Sequence, residues 1–302
     1  KLLPLIGSMS MAQLREMPRD NGGAPGAHWG PRPRSEIAGL ACVTAGPQGG
    51  VPLVLLHGVG LRAEAWGAQL EALSGFRLIA PDMPGHGESA ALDAPPSLAA
   101  YTDRLARLVA TLATPVVVVG HSMGAMIALD LGLRHPGLCR GVVALSAIYR
   151  RSPAAAAGAR ARAAALAAGG GTDPAATLHR WFGDDQHTPV ATACRGWLTE
   201  APRDGYSAAY GVFTAEDGPA DDALQRLRCP ALFLTGALDP NSTPAMSEAM
   251  AARVPGGRAI TLPGAAHMVP MTHPQAVNAA ILAVAEQSLG AGVAAPLHRS
   301  PD

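Results

Sequence analysis

The chain has 302 residues, with 23 Lys+Arg against 23 Asp+Glu, a formal net charge of zero and a sequence pI near 7.3. Such a balance argues against nucleic acid or an anionic membrane surface as partner, and the length suits one large α/β domain or one domain with an insertion. Four scattered cysteines (Cys42, Cys139, Cys194, Cys229) lack metal-ligand spacing, the histidines form no H-x-x-x-H pattern, and apolar runs such as Val51–Leu56 are too short to span a bilayer. The expectation is a cytoplasmic protein with no metal, no cofactor, a small-molecule substrate, and buried free thiols at Cys139 and Cys229 beside predicted strands.

Residues 1–35 are expected to lack regular structure. They begin without Met, Gly7–Ser8–Met9 resembles a cloning remnant, and Lys1–Ile6 is too short for a signal-peptide core. Glu36–Thr44 reads as an early strand and Gly46–Gly50 as a turn. Val51–Leu56 is then a buried strand ending in His57–Gly58–Val59–Gly60, followed by helical pattern over Glu64–Leu73. Phe76–Ala80 reads as a strand running into the irregular Pro81–Ser89, and Ser97–Leu112 as an amphipathic helix.

Thr114–Val119 is a β-branched run, and Ala125–Leu133 is a helix that Pro136 ends. Between them lies Gly120–His121–Ser122–Met123–Gly124. Strand, G-x-S-x-G, helix is the context in which a serine sits on a sharp, strained turn as a nucleophile, with flanking glycines admitting close chain approach. Gly141–Ser146 continues the strand series. From residue 150 to 227 strand signals vanish, and two of the four tryptophans and three of the four tyrosines fall between Tyr149 and Tyr210. This block reads as a helical insertion covering something. Alternation returns with the strand Pro230–Thr235, the helix Pro244–Arg253, the strand Arg258–Leu262 and the helix Gln275–Gln287. The predicted organisation is therefore an α/β core over 36–149 and 228–290, a helical lid over 150–227, and a frayed tail over 291–302.

A serine hydroxyl needs a positioned base, and the base needs an orienting group. Asp239 follows the Ala231–Thr235 strand and His267 follows the Ile260–Leu262 strand, so both belong at the sheet edge that carries Ser122. The turn beginning at His57 ends a neighbouring strand, so the N–H groups of Val59 and Met123 are the candidate donors to a developing oxyanion. His57, His86 and His121 read as structural histidines.

On His57–Gly58, Asp82–Ser89, the serine turn, Gly236–Asp239 and Ala266–His267, the chain resembles the α/β-hydrolase superfamily from about residue 37 to 288. The resemblance implies a mainly parallel sheet with helices on both faces, and a triad in the chain order Ser122, Asp239, His267. Within the superfamily, Leu178–Phe182, Gly205–Tyr206 with Asp217, and Asp239–Pro240 are similar to the lid and loops of 3-oxoadipate enol-lactonases. The chain departs from those enzymes at His57 and at Met268–Met271. It departs from haloalkane dehalogenases and epoxide hydrolases in having Ser122 where they carry aspartate. Hydrolases of activated C–C bonds often carry arginine at the position of Ala237.

The expected activity is hydrolysis of a small ester, lactone or related acyl compound. An amide or C–C bond cleaved by the same triad, and a non-enzymatic ligand receptor, are the alternatives. Arg180, Trp181, Trp197, Tyr206 and Tyr210 are the expected substrate contacts, since an arginine can clamp a carboxylate while aromatic rings enclose a carbon skeleton.

Overall fold

Val116–Val119 carries a β-branched side chain at every position, and all four are fully buried, so the strand they form requires cover on both faces. The computed structural model, which describes residues 29–169 and 174–290, supplies that cover. Eight strands form one sheet: β1 (Ser35–Ile37), β2 (Leu40–Ala45), β3 (Pro52–Leu56), β4 (Arg77–Pro81), β5 (Val116–His121), β6 (Cys139–Leu145), β7 (Ala231–Gly236) and β8 (Arg258–Leu262). Their spatial order is β1-β2-β4-β3-β5-β6-β7-β8. The two pairings of β2 are antiparallel and every other pairing is parallel.

Alternation along the strands divides the core in two. Val54, Leu56, Val116, Val118, Val142 and Ala144 face the helices α2 (Leu98–Ala110) and α3 (Met123–Arg134); the first helix, α1 (Gly67–Ala72), lies on the other face. There Leu53, Leu55, Val117, Val119, Leu232 and Ile260 meet Trp66, Leu70 and the last helix, Pro274–Gly290. Ser97 starts α2 by accepting the Ala100 N–H at its Oγ, 3.1 Å, as its place before an apolar-periodic run predicts.

Between β6 and β7 the regular structure among the described residues is helical: α4 (Pro153–Ala167), α5 (Pro174–Phe182), α6 (Pro189–Glu200), α7 (Arg203–Ala215) and α8 (Asp221–Leu224). α9 (Pro244–Ala251), α10 (Val269–Thr272) and α11 (Pro274–Gly290) complete the core. Among the described residues no helix is long and apolar enough to cross a membrane.

Two sequence expectations change here. The early strand is a β1–β2 hairpin, because Ala38 and Gly39 both adopt positive φ (50° and 76°) and turn the chain. The stretch expected to lack structure up to residue 35 is ordered from residue 29: Trp29 is buried in the core, and Arg34 enters an ion cluster. Residues 1–28, the Gly170–Gly171 end of the predicted helix stop, and the tail 291–302 lie outside the described residues.

That cluster explains the structural part of the Asp82–Ser89 motif. Arg34 Nη2 lies 2.8 Å from Glu64 Oε2 and its Nε 2.9 Å from Asp82 Oδ2, with all three side chains almost fully buried. Asp82 also accepts the N–H groups of Ala63 (2.8 Å) and Glu88 (2.9 Å), so it holds its own loop and the turn after β3. Burial alone would raise the Glu64 carboxyl, but the Arg34 hydrogen bonds and charge win and bring it down to about 2. Because the folded value lies below the unfolded one, the stability Glu64 confers is complete above about pH 4.5 and is lost as pH falls toward about 2. Arg34→Met leaves buried Asp82 without its guanidinium and Glu64 with Arg62 alone, and is expected to cost about 3–5 kcal/mol at neutral pH. Urea melts across the acid range should show that penalty shrinking as Glu64 protonates.

Candidate active site

Ser122 joins β5 to α3 with φ 56° and ψ −116°, a conformation L-residues rarely adopt. The surrounding glycines show what the turn demands. A β-carbon on Gly120 would collide with the backbone of Gly124, and one on Gly124 with the carbonyls of Leu56 and His57. The Ser122 N–H donates to Leu145 O at 2.8 Å, and its carbonyl accepts the N–H groups of Ala125 (3.0 Å) and Met126 (3.3 Å). The backbone is thus tied into β6 on one side and α3 on the other.

The turn after β3 approaches from the next strand. A β-carbon on Gly58 would stand 3.1 Å from Ser122 Cβ, so this glycine sets how close the two turns come. Met123 is the first residue of α3, and its N–H therefore has no intrahelical acceptor. Val59 lines the same cavity as Ser122. His57 Nε2 accepts the Met83 N–H at 2.9 Å, so its proton sits on Nδ1 and is donated to Gly58 O at 2.8 Å. Burial lowers the His57 pKa and pushes those of His86 and His121 down to about 3, keeping all three neutral structural groups.

Asp239 lies in the turn after β7. Its Oδ1 accepts the N–H groups of Asn241 (2.9 Å) and Ser242 (3.0 Å), and its Oδ2 lies 2.7 Å from His267 Nδ1. Burial alone would raise this carboxyl, but the His267 charge and hydrogen bond and the two N–H donors hold it below the usual carboxylate range. With the Nδ1 proton given to Asp239, Nε2 is the basic nitrogen of the neutral ring. His267 is held by its backbone as well. Its N–H donates to Trp181 O (3.2 Å), and its carbonyl accepts His121 Nε2–H (2.9 Å) and the Ser146 hydroxyl (3.2 Å). The Trp181 ring stacks on the imidazole at 6.3 Å between centroids.

Ser122 and His267 open into a cavity of about 290 Å³ whose roof is the helical insertion. Of the expected substrate contacts, Arg180, Trp181, Tyr206 and Tyr210 line it. Trp197 does not, and that expectation is corrected: α6 turns Cys194, Trp197 and Leu198 into the core, and Trp197 lines a separate, smaller pocket with Leu61 and His86. Two lining arginines went unread in the sequence, Arg151 and Arg162. Arg151 is engaged, donating to Asp217 Oδ1 (2.9 Å) and Phe213 O (2.8 Å). Arg162 donates from Nε to the Tyr210 hydroxyl at 3.0 Å, and Arg180 from Nη2 to Thr177 Oγ1 at 2.9 Å. Among the described residues neither has a carboxylate within ion-pair distance. Burial, and then the neighbouring Arg162 charge, lower the Arg180 pKa. Among the described residues no group of three or more side chains is suited to hold a metal ion.

A model of the alpha/beta hydrolase family matches residues 53–280, which include the serine turn, Asp239 and His267. The chain belongs to this family. It is 40% identical over 237 residues to the (E)-2-((N-methylformamido)methylene)succinate hydrolase of Acinetobacter baylyi, covering 78% of this chain and 90% of that one. It is 32% identical over 238 residues to the pimeloyl-[acyl-carrier protein] methyl ester esterase of Aromatoleum aromaticum, covering 74% and 93%. Among solved structures, a thermophilic esterase from Thermogutta terrifontis, with malate bound, superposes with a TM-score of 0.74 at 29% identity, covering 85% of this chain and 99% of that one. The enol-lactonase of Burkholderia xenovorans LB400 shares the fold, with a TM-score of 0.75 at 24% identity, covering 84% and 100%. The protein is thus a hydrolase of the α/β-hydrolase fold.

Because Gly58 touches the Ser122 turn and has an ordinary negative φ, Gly58→Ala separates packing at the site from global folding. It is expected to slow hydrolysis of a short p-nitrophenyl ester at least tenfold, since displacements of about 1 Å at a reacting group cost up to about a hundredfold. The melting temperature should move by only a few degrees, which a thermal melt beside the rate assay checks.

Proposed function

We propose that the protein is a serine hydrolase that cleaves a small, carboxylate-bearing acyl compound through an acyl-enzyme. In this reading Ser122 Oγ attacks the acyl carbon while His267 Nε2 takes its proton, and Asp239 fixes the imidazole tautomer and faces the imidazolium that forms. The N–H groups of Met123 and Val59 receive the developing oxyanion. The protonated His267 returns the proton to the leaving group. Water, deprotonated by the same histidine, then releases the acid. The helical insertion acts as the lid that encloses the substrate.

One observation carries the substrate class: the roof of the cavity presents two guanidinium groups, Arg162 and Arg180, bonded to hydroxyls and not to carboxylates. Both arginines are half-buried, and a cation partly withdrawn from water without a counter-charge favours a ligand carboxylate, which both supplies the charge and accepts a bidentate pair. The name of one sequence relative supports this, since it acts on a substituted methylenesuccinate, a dicarboxylate; the other, a pimeloyl-[acyl-carrier protein] methyl ester esterase, supports ester cleavage alone. The relative acting on an N-methylformamido compound also favours a second reading, in which the bond cleaved is N-acyl and the proton from His267 goes to nitrogen. The machinery is the same in both.

A fluorophosphonate probe should label Ser122, and Ser122→Ala should abolish both labelling and turnover. Labelling of another serine, with Ser122→Ala fully active, would exclude the assignment. Arg180→Ala and Arg162→Ala should each raise KM for an acidic ester at least tenfold more than for a neutral ester of equal size. Part of the loss can fall on kcat, because remote binding energy is also used in the transition state. Equal effects on both esters would remove the carboxylate from the proposal while leaving the chemistry in place.

A further inference from the structure

At the end of the sheet opposite Ser122, the chain brings two cysteines together. Cys139 is the first residue of β6, and Cys229 lies two residues before β7. These strands are parallel neighbours, with Val142 opposite Ala231 and the Val142 N–H bonded to Pro230 O at 2.9 Å, so both cysteines enter from the same end. Their sulfurs are 3.9 Å apart. A disulfide spans about 2.0 Å, so closing the bond needs the sulfurs to approach by about 2 Å.

The surroundings suit thiol chemistry. Both cysteines face a cavity of about 250 Å³ that is also lined by Arg140 and Arg228, the immediate chain neighbours of the pair, and by no carboxylate. Arg140 Nε is buried there without a hydrogen-bond partner. The thiolate is the reactive form of cysteine. Cys229 is part-exposed while Cys42, Cys139 and Cys194 are buried. The contact with Cys139 holds the Cys229 thiol below its usual range, and the same contact together with burial raises Cys139. Burial pushes Cys42 up to about 12 and raises Cys194 as well, so neither competes as a nucleophile.

We propose that Cys139 and Cys229 form a redox-responsive dithiol that a hydroperoxide oxidises to an intramolecular disulfide. The Cys229 thiolate attacks one peroxide oxygen and the O–O bond breaks. The departing oxygen leaves as hydroxide or alkoxide and takes a proton, and Cys229 becomes a sulfenic acid. Cys139 sulfur then attacks the sulfenic sulfur, the S–S bond forms, and hydroxide leaves with the Cys139 proton as water. In sum, two thiols are oxidised by two electrons and one peroxide is reduced. The new bond ties the strands that enter and leave the helical insertion, away from Ser122, so it braces the fold without touching the hydrolytic site.

The test treats the full chain with hydrogen peroxide, alkylates the remaining thiols and maps peptides by mass spectrometry. The expected result is loss of two thiols, a Cys139–Cys229 linked peptide lighter by two hydrogens, reversal by dithiothreitol, a raised melting temperature, and unchanged turnover of a neutral ester. In Cys139→Ser, Cys229 should accumulate as a sulfenic acid that dimedone traps. A first disulfide involving Cys42, Cys194 or a second chain would overturn the proposal. So would retention of both alkylatable thiols in the unmutated protein, or direct passage of Cys229 to the sulfinic acid.

Discussion

Everything at the candidate site depends on one strained residue. Ser122 sits at φ 56° and ψ −116°, and such a backbone costs about 1–3 kcal/mol that its surroundings must supply. They do so through register. Leu56 of β3 pairs with Gly120 of β5, which sets Gly124 against the last carbonyls of β3, where only a glycine fits. The same alignment brings Gly58 against Ser122. A slip in this pairing would displace the serine, the turn that faces it and the start of α3 together. The uninterrupted β-branched run from Val116 to Val119, buried on both faces, is what makes such a slip expensive.

The histidine side is built differently, from hydrogen bonds between loops. Ser146 follows β6 with φ 49°, donates its hydroxyl to His267 O, and accepts the Ser242 hydroxyl at its own carbonyl, 2.7 Å. Ser242 in turn donates its N–H to Asp239, and Thr235 Oγ1–H donates to Ser242 O at 2.7 Å. The loops after β6, β7 and β8 therefore form one network in which imidazole and carboxylate have little room to drift apart. Satisfied buried networks of this kind rigidify the groups they hold. Trp181 links the network to the insertion, because its carbonyl and its ring both meet His267.

The core was legible because its signals are local. Short apolar runs ended by glycine or proline mark strands, and the order of Ser122, Asp239 and His267 at strand ends needs no tertiary knowledge. The split of the first strand at Ala38–Gly39 was hidden because the first residue at positive φ is an alanine, which gives no turn signal. Arg34 was missed because one arginine in a proline-rich stretch looks solvated until Glu64 and Asp82 are seen to be buried around it. In the insertion, the helices were legible but their orientation was not. Such helices have two apolar destinations, the core and the cavity, and an aromatic residue satisfies either. Trp181 and Trp197 are indistinguishable in sequence and both join the buried core, yet only Trp181 also stacks on His267 and lines the cavity. α4 is mostly alanine, so no hydrophobic stripe showed which side of it Arg162 would take.

This division has a physical basis that bears on the proposed substrate. The sheet supplies groups whose positions must hold to a fraction of an ångström, and its residues are fixed by register and by hydrogen bonds in every direction. The insertion, which in the proposed function supplies recognition, has cations that are less completely answered. Arg151 has Asp217 and a carbonyl, whereas Arg162 and Arg180 have hydroxyls and each other's repulsion. A bound carboxylate would relieve that repulsion and offset the desolvation already incurred by folding the roof, so binding and roof stability are coupled. A neutral acyl compound would leave both costs in place. On the proposed function, discrimination against neutral substrates would follow from the roof cations' lack of a carboxylate partner, independently of whether the reacting bond is ester or N-acyl.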